Sequence, residues 1–261
     1  MKRVMLTVAY DGTNYCGWQI QPNGITIEEE LNRHLSRLLR EPVRVSGASR
    51  TDSGVHALGN LCVFDTETRI PAEKLCYAVN QSLPPDIVVQ KSQEVPLDFH
   101  PRKWESAKTY EYTIYNRPLP NPVLRLYSYF VYRPLDVERM RRGAAFLVGE
   151  HDFQSFCSAG SQVETTVRTV HSLEVEQEGP VIRIRITGSG FLYNMVRIIA
   201  GTLLRVGSGF WEPEMVGEIL EKQDRSAAGP TAPAKGLCLM GIQLKNPPFF
   251  PGKGIDTHGR M

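Results

Sequence analysis

The amino-acid sequence predicts an α+β fold of two ferredoxin-like halves, each an antiparallel sheet with its helices on one face, whose sheets join edge to edge into one extended sheet. Three observations carry that expectation. The order β-α-β-β-α-β is visible in roughly the first hundred residues, the split arrangement that puts both helices on one side of a sheet. The element order of the second half loosely repeats it. The length, 261 residues, exceeds the usual size of one compact domain and suits two small ones that share a core. The halves are expected at 1–104 and 105–246, followed by a flexible tail at 247–261.

Residues 2–10 (KRVMLTVAY) set Val4, Leu6, Val8 and Tyr10 on one face at period two, the pattern of a half-buried strand. After a turn-rich loop, Thr26 and Glu29 form a capping-box pair. Ile27, Leu31, Leu35, Leu38 and Leu39 then recur at helical spacing as far as about Arg40. Two strands, 43–47 and 57–66, flank the polar loop GASRTDSGVH. Pro71 stands in the first turn of a helix over PAEKLCYAVNQSL, where its missing N–H is harmless, and DIVVQKSQEV closes the half as a strand. The second half opens with SAKTYEYTIY and RLYSYFVY as strands, then a helix near 136–147 and the strands TTVRTVHSLEVEQ and PVIRIRITGS. An apolar helix over about 192–206, a shorter one near 213–222 and the closing strand LCLMGIQL complete it. No short-period repeat is present, which excludes solenoids.

Composition narrows the function classes. Hydrophobic residues make up 41% and charged residues 22%, so a sizeable core can be buried. No apolar run approaches the roughly 20 residues needed to span a bilayer. The N-terminus opens on a strand pattern in place of a signal peptide, so no membrane contact and a cytoplasmic location are expected. Five cysteines, odd in number, far apart and without CxxC spacing, read as reduced and mostly buried thiols. There is no Walker A loop, Gly188-Ser189-Gly190 lacks the third glycine of a dinucleotide fingerprint, and the lone pairing of Asp52 with His56 is too sparse for a metal site, so no cofactor and no metal are expected. The net charge of +2 does not announce nucleic acid by itself. Arg133, Arg139, Arg141 and Arg142 nevertheless cluster around one helix start, which a solvated helix face explains equally well, and Arg197 and Arg205 punctuate the apolar helix.

One segment stands out chemically. Gly47 to His56 packs Arg50, Asp52 and His56 among small residues and glycines, which lets the backbone turn tightly and approach a ligand. A carboxylate on a rigid loop is one reading; a polar hairpin with Asp52 as a turn residue is the other.

This segment resembles the G-x-x-R-T-D-x-G-V-H motif that holds the catalytic aspartate of the TruA family of tRNA pseudouridine synthases. Further segments follow in family order: Lys108 to Tyr112, whose first tyrosine is Tyr110, then Asp152 to Phe156, Gly188 to Arg197, and Ala232 to Leu237. The similarity runs from about residue 4 to 245, with Ser49 and Ser53 standing where many members have Gly and Ala. The resemblance implies a cofactor-free isomerase acting on uridines 38, 39 and 40 of the tRNA anticodon arm, with its active-site cleft between the halves. It also implies Asp52 as the essential carboxylate, Tyr110 in the active site, and a homodimer that lays one tRNA across both subunits.

The chemistry accounts for those residue types. The reaction breaks the N1–C1′ bond, turns the base and joins C5 to C1′. An ionised Asp52 can stabilise or bond to C1′, add to C6, or take a proton from C2′. Desolvation would raise its pKa, and Arg50 and Arg197 are the guanidinium groups expected to oppose that in one cluster. A base flipped from its stem needs a flat surface, which Tyr110 offers; its hydroxyl could also sit near C5 and accept the proton lost there, although a phenol with a pKa of about 10 is a reluctant base. Arg50 is also expected to hold the displaced nucleotide. His56 stands among the substrate contacts, with a backbone hydrogen bond as its commoner role. Arg139, Arg142, Arg168 and Arg205, with Arg141, are the expected contacts to RNA phosphates. Two rival readings are a non-catalytic RNA-binding module and a nucleoside hydrolase that releases free uracil.

Overall fold

The computed structural model describes residues 1–160, 163–245 and 247, so the tail expected at 247–261 lies outside the described residues except for Pro247. The class is α+β. The chain divides into two compact units, Met1–Ala107 with the residues from Leu239 onward, and Lys108–Cys238. Part of the closing strand therefore groups with the first unit, although its place in the sequence pointed to the second.

The first unit runs β1 (Lys2–Tyr10), α1 (Ile27–Leu39), β2 (Ser46–Gly47), β3 (His56–Thr66), α2 (Leu75–Asn80) and β4 (Ile87–Val95). β1 lies between β4 and β3, antiparallel to both, and β2 pairs antiparallel with β3, which is the ferredoxin-like split. Val4, Leu6, Val8 and Tyr10 are buried as their alternation predicts. Met5 on the opposite face is buried too, so the centre of β1 is covered on both sides. α1 begins where Thr26, in an extended conformation, accepts the Glu29 N–H on its side chain, and ends at Arg40 in the left-handed region.

The strand expected at 43–47 shrinks to Ser46–Gly47. Two side chains of α1 are responsible: Ser36 Oγ takes the Val43 N–H at 2.8 Å and Asn32 Oδ1 takes the Val45 N–H at 2.7 Å. Those amides are satisfied without a strand partner, and Val43 and Val45 stay buried. The helix expected after Pro71 divides into a 3-10 turn, Ala72–Lys74, and α2. The side chain of Asn80 seals its end on the backbone of Val89, donating and accepting at 2.9 Å each.

The second unit runs β5 (Ser106–Asn116), β6 (Tyr129–Val131), α3 (Val137–Ala145), β7 (Gly149–Asp152), β8 (Val167–Glu178), β9 (Val181–Gly188), α4 (Met195–Gly207), α5 (Met215–Lys222) and β10 (Leu237–Leu244). The order β5-β9-β8 repeats that of β1, β3 and β2, and β7 extends it. These pairs are antiparallel. β6 corrects the expectation: the strand predicted over RLYSYFVY is three residues long and runs parallel to β5. The crossing between them includes a 3-10 turn at Pro122–Leu124, and the Asn116 side chain fastens the return by donating to Val131 O and Arg133 O at 2.8 and 2.7 Å. β8 and β9 turn at Gly179, φ +56°, where a positive φ matches the strand twist. α3 packs on β8 and on α4. All five cysteines are free, three of them buried. Among the described residues no helix is long and apolar enough to cross a membrane.

Candidate active site

The loop from β2 to β3 rests on the segment that follows β1, residues that in the sequence show only turn chemistry. Trp18 N donates to Thr51 O at 3.0 Å, while Gly54 N and Ser53 Oγ both donate to Tyr15 O at 3.2 Å. Val55 N closes a turn on Asp52 O at 3.1 Å. Two glycines make this approach possible. Gly17 sits at φ +83°, and a Cβ there would run into Thr51 O; a Cβ on Gly12 would run into Val55 O.

Beneath the loop lies a buried polar network. Tyr10 Oη and Thr51 Oγ1 are 2.8 Å apart, and Asn60 Nδ2 donates to Ser49 O at 3.0 Å and to Tyr10 Oη at 3.3 Å. Asn60 is 0% exposed, and the Tyr10 and Trp18 rings lie against each other at 5.9 Å. Ser49 and Thr51 are thus pinned down, while Arg50 between them is exposed and Asp52 is half-buried. Asp52 is presented by a braced backbone, its own carbonyl closing the turn to Val55. His56 is buried, its Nδ1 accepts the Gly12 N–H at 3.1 Å, the backbone hydrogen bond expected as its commoner role, and the same atom lies 3.1 Å from Asp11 Oδ1. Tyr15 is anchored by donating to Asp86 Oδ1 at 2.6 Å, and burial, with Asp86 beside it, pushes its phenol pKa up.

In the second unit Tyr110 lies on β5 opposite Ile186 of β9 and is buried. Phe191 meets its ring edge to face, with centroids 5.3 Å apart at 86°. Phe191 belongs to the Gly188–Arg197 motif, yet its sequence position alone gives it no role. Arg168 flanks the same segment, its side chain 3.9 Å from where a Cβ of Gly190 would lie, and burial holds its guanidinium pKa below the ordinary value.

Arg197 is half-buried and tied down at several points. Its Nε donates to Ala232 O at 2.8 Å, a guanidinium nitrogen donates to Asn194 Oδ1 at 2.8 Å, and its own carbonyl accepts from Ala232 N at 3.1 Å. It is a clasp that fastens the 232 segment to α4. Asn194, in the left-handed region at φ 60°, also donates to Ser158 Oγ at 3.0 Å, which delays the helix predicted from 192 until Met195. Tyr112 completes this side by donating to Pro233 O at 2.9 Å, and its burial raises its pKa.

The remaining arginines separate into two kinds. Arg139 reaches Trp211 O at 3.0 Å and Glu212 at 3.1 Å; Arg141 pairs with Glu138 at 3.0 Å and Arg142 with Glu214 at 2.6 Å. Arg205 instead lies over the Phe210 ring at 4.8 Å.

Residues 6–102 and 144–243 match the family model described as tRNA pseudouridine synthase. The chain belongs to this family. It is 46% identical over 242 residues to tRNA pseudouridine synthase A of Acetivibrio thermocellus, covering 93% of this chain and 99% of that relative. To tRNA pseudouridine synthase A of Ruminiclostridium cellulolyticum it is 48% identical over 243 residues, with the same coverage of both. Among solved structures it is similar to the archaeal box H/ACA sRNP Nop10-Cbf5 complex at TM-score 0.36 and 14% identity, over 86% of this chain and 60% of that one, a likeness too distant to carry any argument. Membership of the family makes the chain an isomerase that converts uridine to pseudouridine in tRNA.

Proposed function

We propose that the enzyme isomerises uridines 38, 39 and 40 of the tRNA anticodon stem-loop, flipping each base from its stack and using Asp52 to cleave and re-form the glycosidic bond. The observation that supports this reading is the braced loop, which presents a half-buried carboxylate from a backbone held by hydrogen bonds to the segment after β1. Arg50, exposed and two residues from Asp52, steadies its charge and holds the displaced nucleotide. Tyr110 gives the extruded uracil an aromatic surface that Phe191 supports from its edge. Arg197 supplies a guanidinium of fixed orientation, and Arg168 lies beside the same segment for a phosphate.

The test uses unmodified tRNA carrying tritium at uridine C5, with no cofactor added. Label appears in water as pseudouridine forms, and replacing uridines 38, 39 and 40 by cytidine removes the release. Release that survives the triple replacement defeats the assignment of positions. The role of Asp52 is resolved by 2′-deuterated uridine: a primary isotope effect selects proton removal at C2′, and its absence leaves attack at C1′ or C6.

Tyr110→Phe keeps tRNA affinity and slows turnover by about tenfold or more, since the ring remains and the hydroxyl is lost. Unchanged single-turnover rates would show that no hydroxyl is required. Arg197→Lys replaces a planar fork by a point charge that cannot reach Ala232 O and Asn194 Oδ1 together. It lowers stability by about 1–2 kcal/mol and turnover at saturating tRNA by more than about tenfold, read by thermal melting and tritium release. Wild-type turnover in this variant removes Arg197 from the mechanism. We further propose a cytoplasmic homodimer that shares one tRNA between its subunits. Light scattering is expected to give twice the chain mass of 29.4 kDa.

A further inference from the structure

α4 ends in a Schellman motif. Gly209, at φ +74°, turns the chain back so that its own N–H bonds Val206 O and the Phe210 N–H bonds Arg205 O, both at 3.0 Å. This motif commonly closes with an apolar contact between the residues that Arg205 and Phe210 occupy here. An arginine laid on a ring takes its place, 4.8 Å from the centroid, and the ring is 65% exposed. A second arginine–ring pair stands just before α3: Arg133 lies 5.5 Å from the centroid of Tyr132, which is 59% exposed, and donates from Nε to its hydroxyl at 2.9 Å.

The residues next to each pair along the chain, Pro134 and Leu135 after Arg133 and Gly207 and Gly209 between Arg205 and Phe210, line one open cavity of about 450 Å³ together with Asp136, Arg139, Ser208 and Glu212. Asp136 N donates to Gly207 O at 2.8 Å and joins the two walls. Charge sets Arg133 and Arg205 apart from their neighbours. Arg139, Arg141 and Arg142 each have a glutamate partner, whereas among the described residues Arg133 and Arg205 have no carboxylate within ion-pair distance. Exposed rings with unneutralised guanidinium groups beside them match the two parts of a nucleotide, a base with a π-face and a phosphate.

We propose that Tyr132, Arg133, Arg205 and Phe210 form a clamp for an unpaired nucleotide of the tRNA other than the one that reacts. The clamp contributes affinity and no chemistry. It rests on tRNA as the substrate, and not on which uridine is modified.

The experiment measures binding of full-length tRNA and of oligouridylate, together with tritium release at saturating tRNA. The pair Tyr132→Leu with Phe210→Leu weakens both ligands by about tenfold, leaves turnover at saturation unchanged and keeps the melting temperature, because both rings are solvent-exposed. Arg205→Gln weakens tRNA binding and lowers its salt dependence by about one phosphate contact. Arg183→Gln is the charge control, since Arg183 is paired with Glu178 at 3.0 Å. If the double variant binds tRNA within about twofold of wild type, or if Arg183→Gln weakens it as much as Arg205→Gln, the clamp is refuted. A loss of turnover at saturation would also refute it, whereas failure of the assignment to positions 38, 39 and 40 leaves these affinities untouched.

Discussion

Asp52→Asn abolishes pseudouridine formation, by at least about a thousandfold, which corresponds to some 4 kcal/mol of lost transition-state stabilisation. Its folded state is expected to be nearly that of the wild type, with a melting temperature within about 2 °C. The side chain is half-buried and asparagine matches its shape, while the backbone of Ser49, Thr51, Gly54, Val55 and Tyr15 and the hydroxyls of Thr51 and Ser53 bear contacts that brace the loop. What changes is the charge. A neutral amide can neither stabilise positive charge at C1′, nor bond to C1′ or C6, nor take a proton from C2′. Single-turnover tritium release alongside thermal melting checks both halves, and a folded variant working at the native rate would end the assignment of Asp52.

Gly17→Ala is the strongest expected effect away from the chemistry. The substitution meets two penalties, a left-handed backbone at φ +83° and a Cβ closer than 3.0 Å to Thr51 O. The neighbour is a main-chain oxygen and cannot swing aside. A stability loss of about 2–4 kcal/mol follows. Turnover falls by about a hundredfold even in the fraction that folds, because the displaced backbone is the one that leads into Asp52. Gly179→Ala separates the two penalties: it also lies at positive φ, +56°, but a Cβ there has nothing within 4 Å. It is expected to cost only about 1 kcal/mol and to leave turnover intact. Equal melting temperatures for the two variants would show that the contact with Thr51 O is not what matters.

Much of the fold was legible because its causes are local. Alternation in β1, helical spacing after Thr26 and the β-α-β-β-α-β order depend on neighbours a few residues apart. The departures have distant causes. Ser36 and Asn32 take the amides that would have extended β2. Asn194, held by Ser158 and Arg197, shifts the start of α4. β7 consists of Gly-Glu-His-Asp, which carries no apolar alternation to read, and the parallel direction of β6 depends on a crossing in space.

The candidate site divides in the same way. Asp52, Tyr110 and Arg197 stood out through motifs, whereas the supporting residues Gly12, Tyr15, Gly17, Trp18 and Asn60 did not. Their partners are carbonyls and hydroxyls far along the chain, and two glycines in a turn-rich stretch were the only available signal. The arginines were grouped by sequence proximity, while their sorting depends on Glu212 and Glu214, some seventy residues beyond them.

β10 begins in the second unit and, from Leu239, belongs to the first, where it lies on β3. The ribosome therefore releases the first hundred or so residues long before the strand that finishes their sheet has been made, and β3 must spend the synthesis of Lys108–Cys238 with an edge uncovered. Birth order and assembly order differ in this chain: its first unit is completed by a strand made after the second, and the nascent first unit is the stage at which a chaperone would have most to shield.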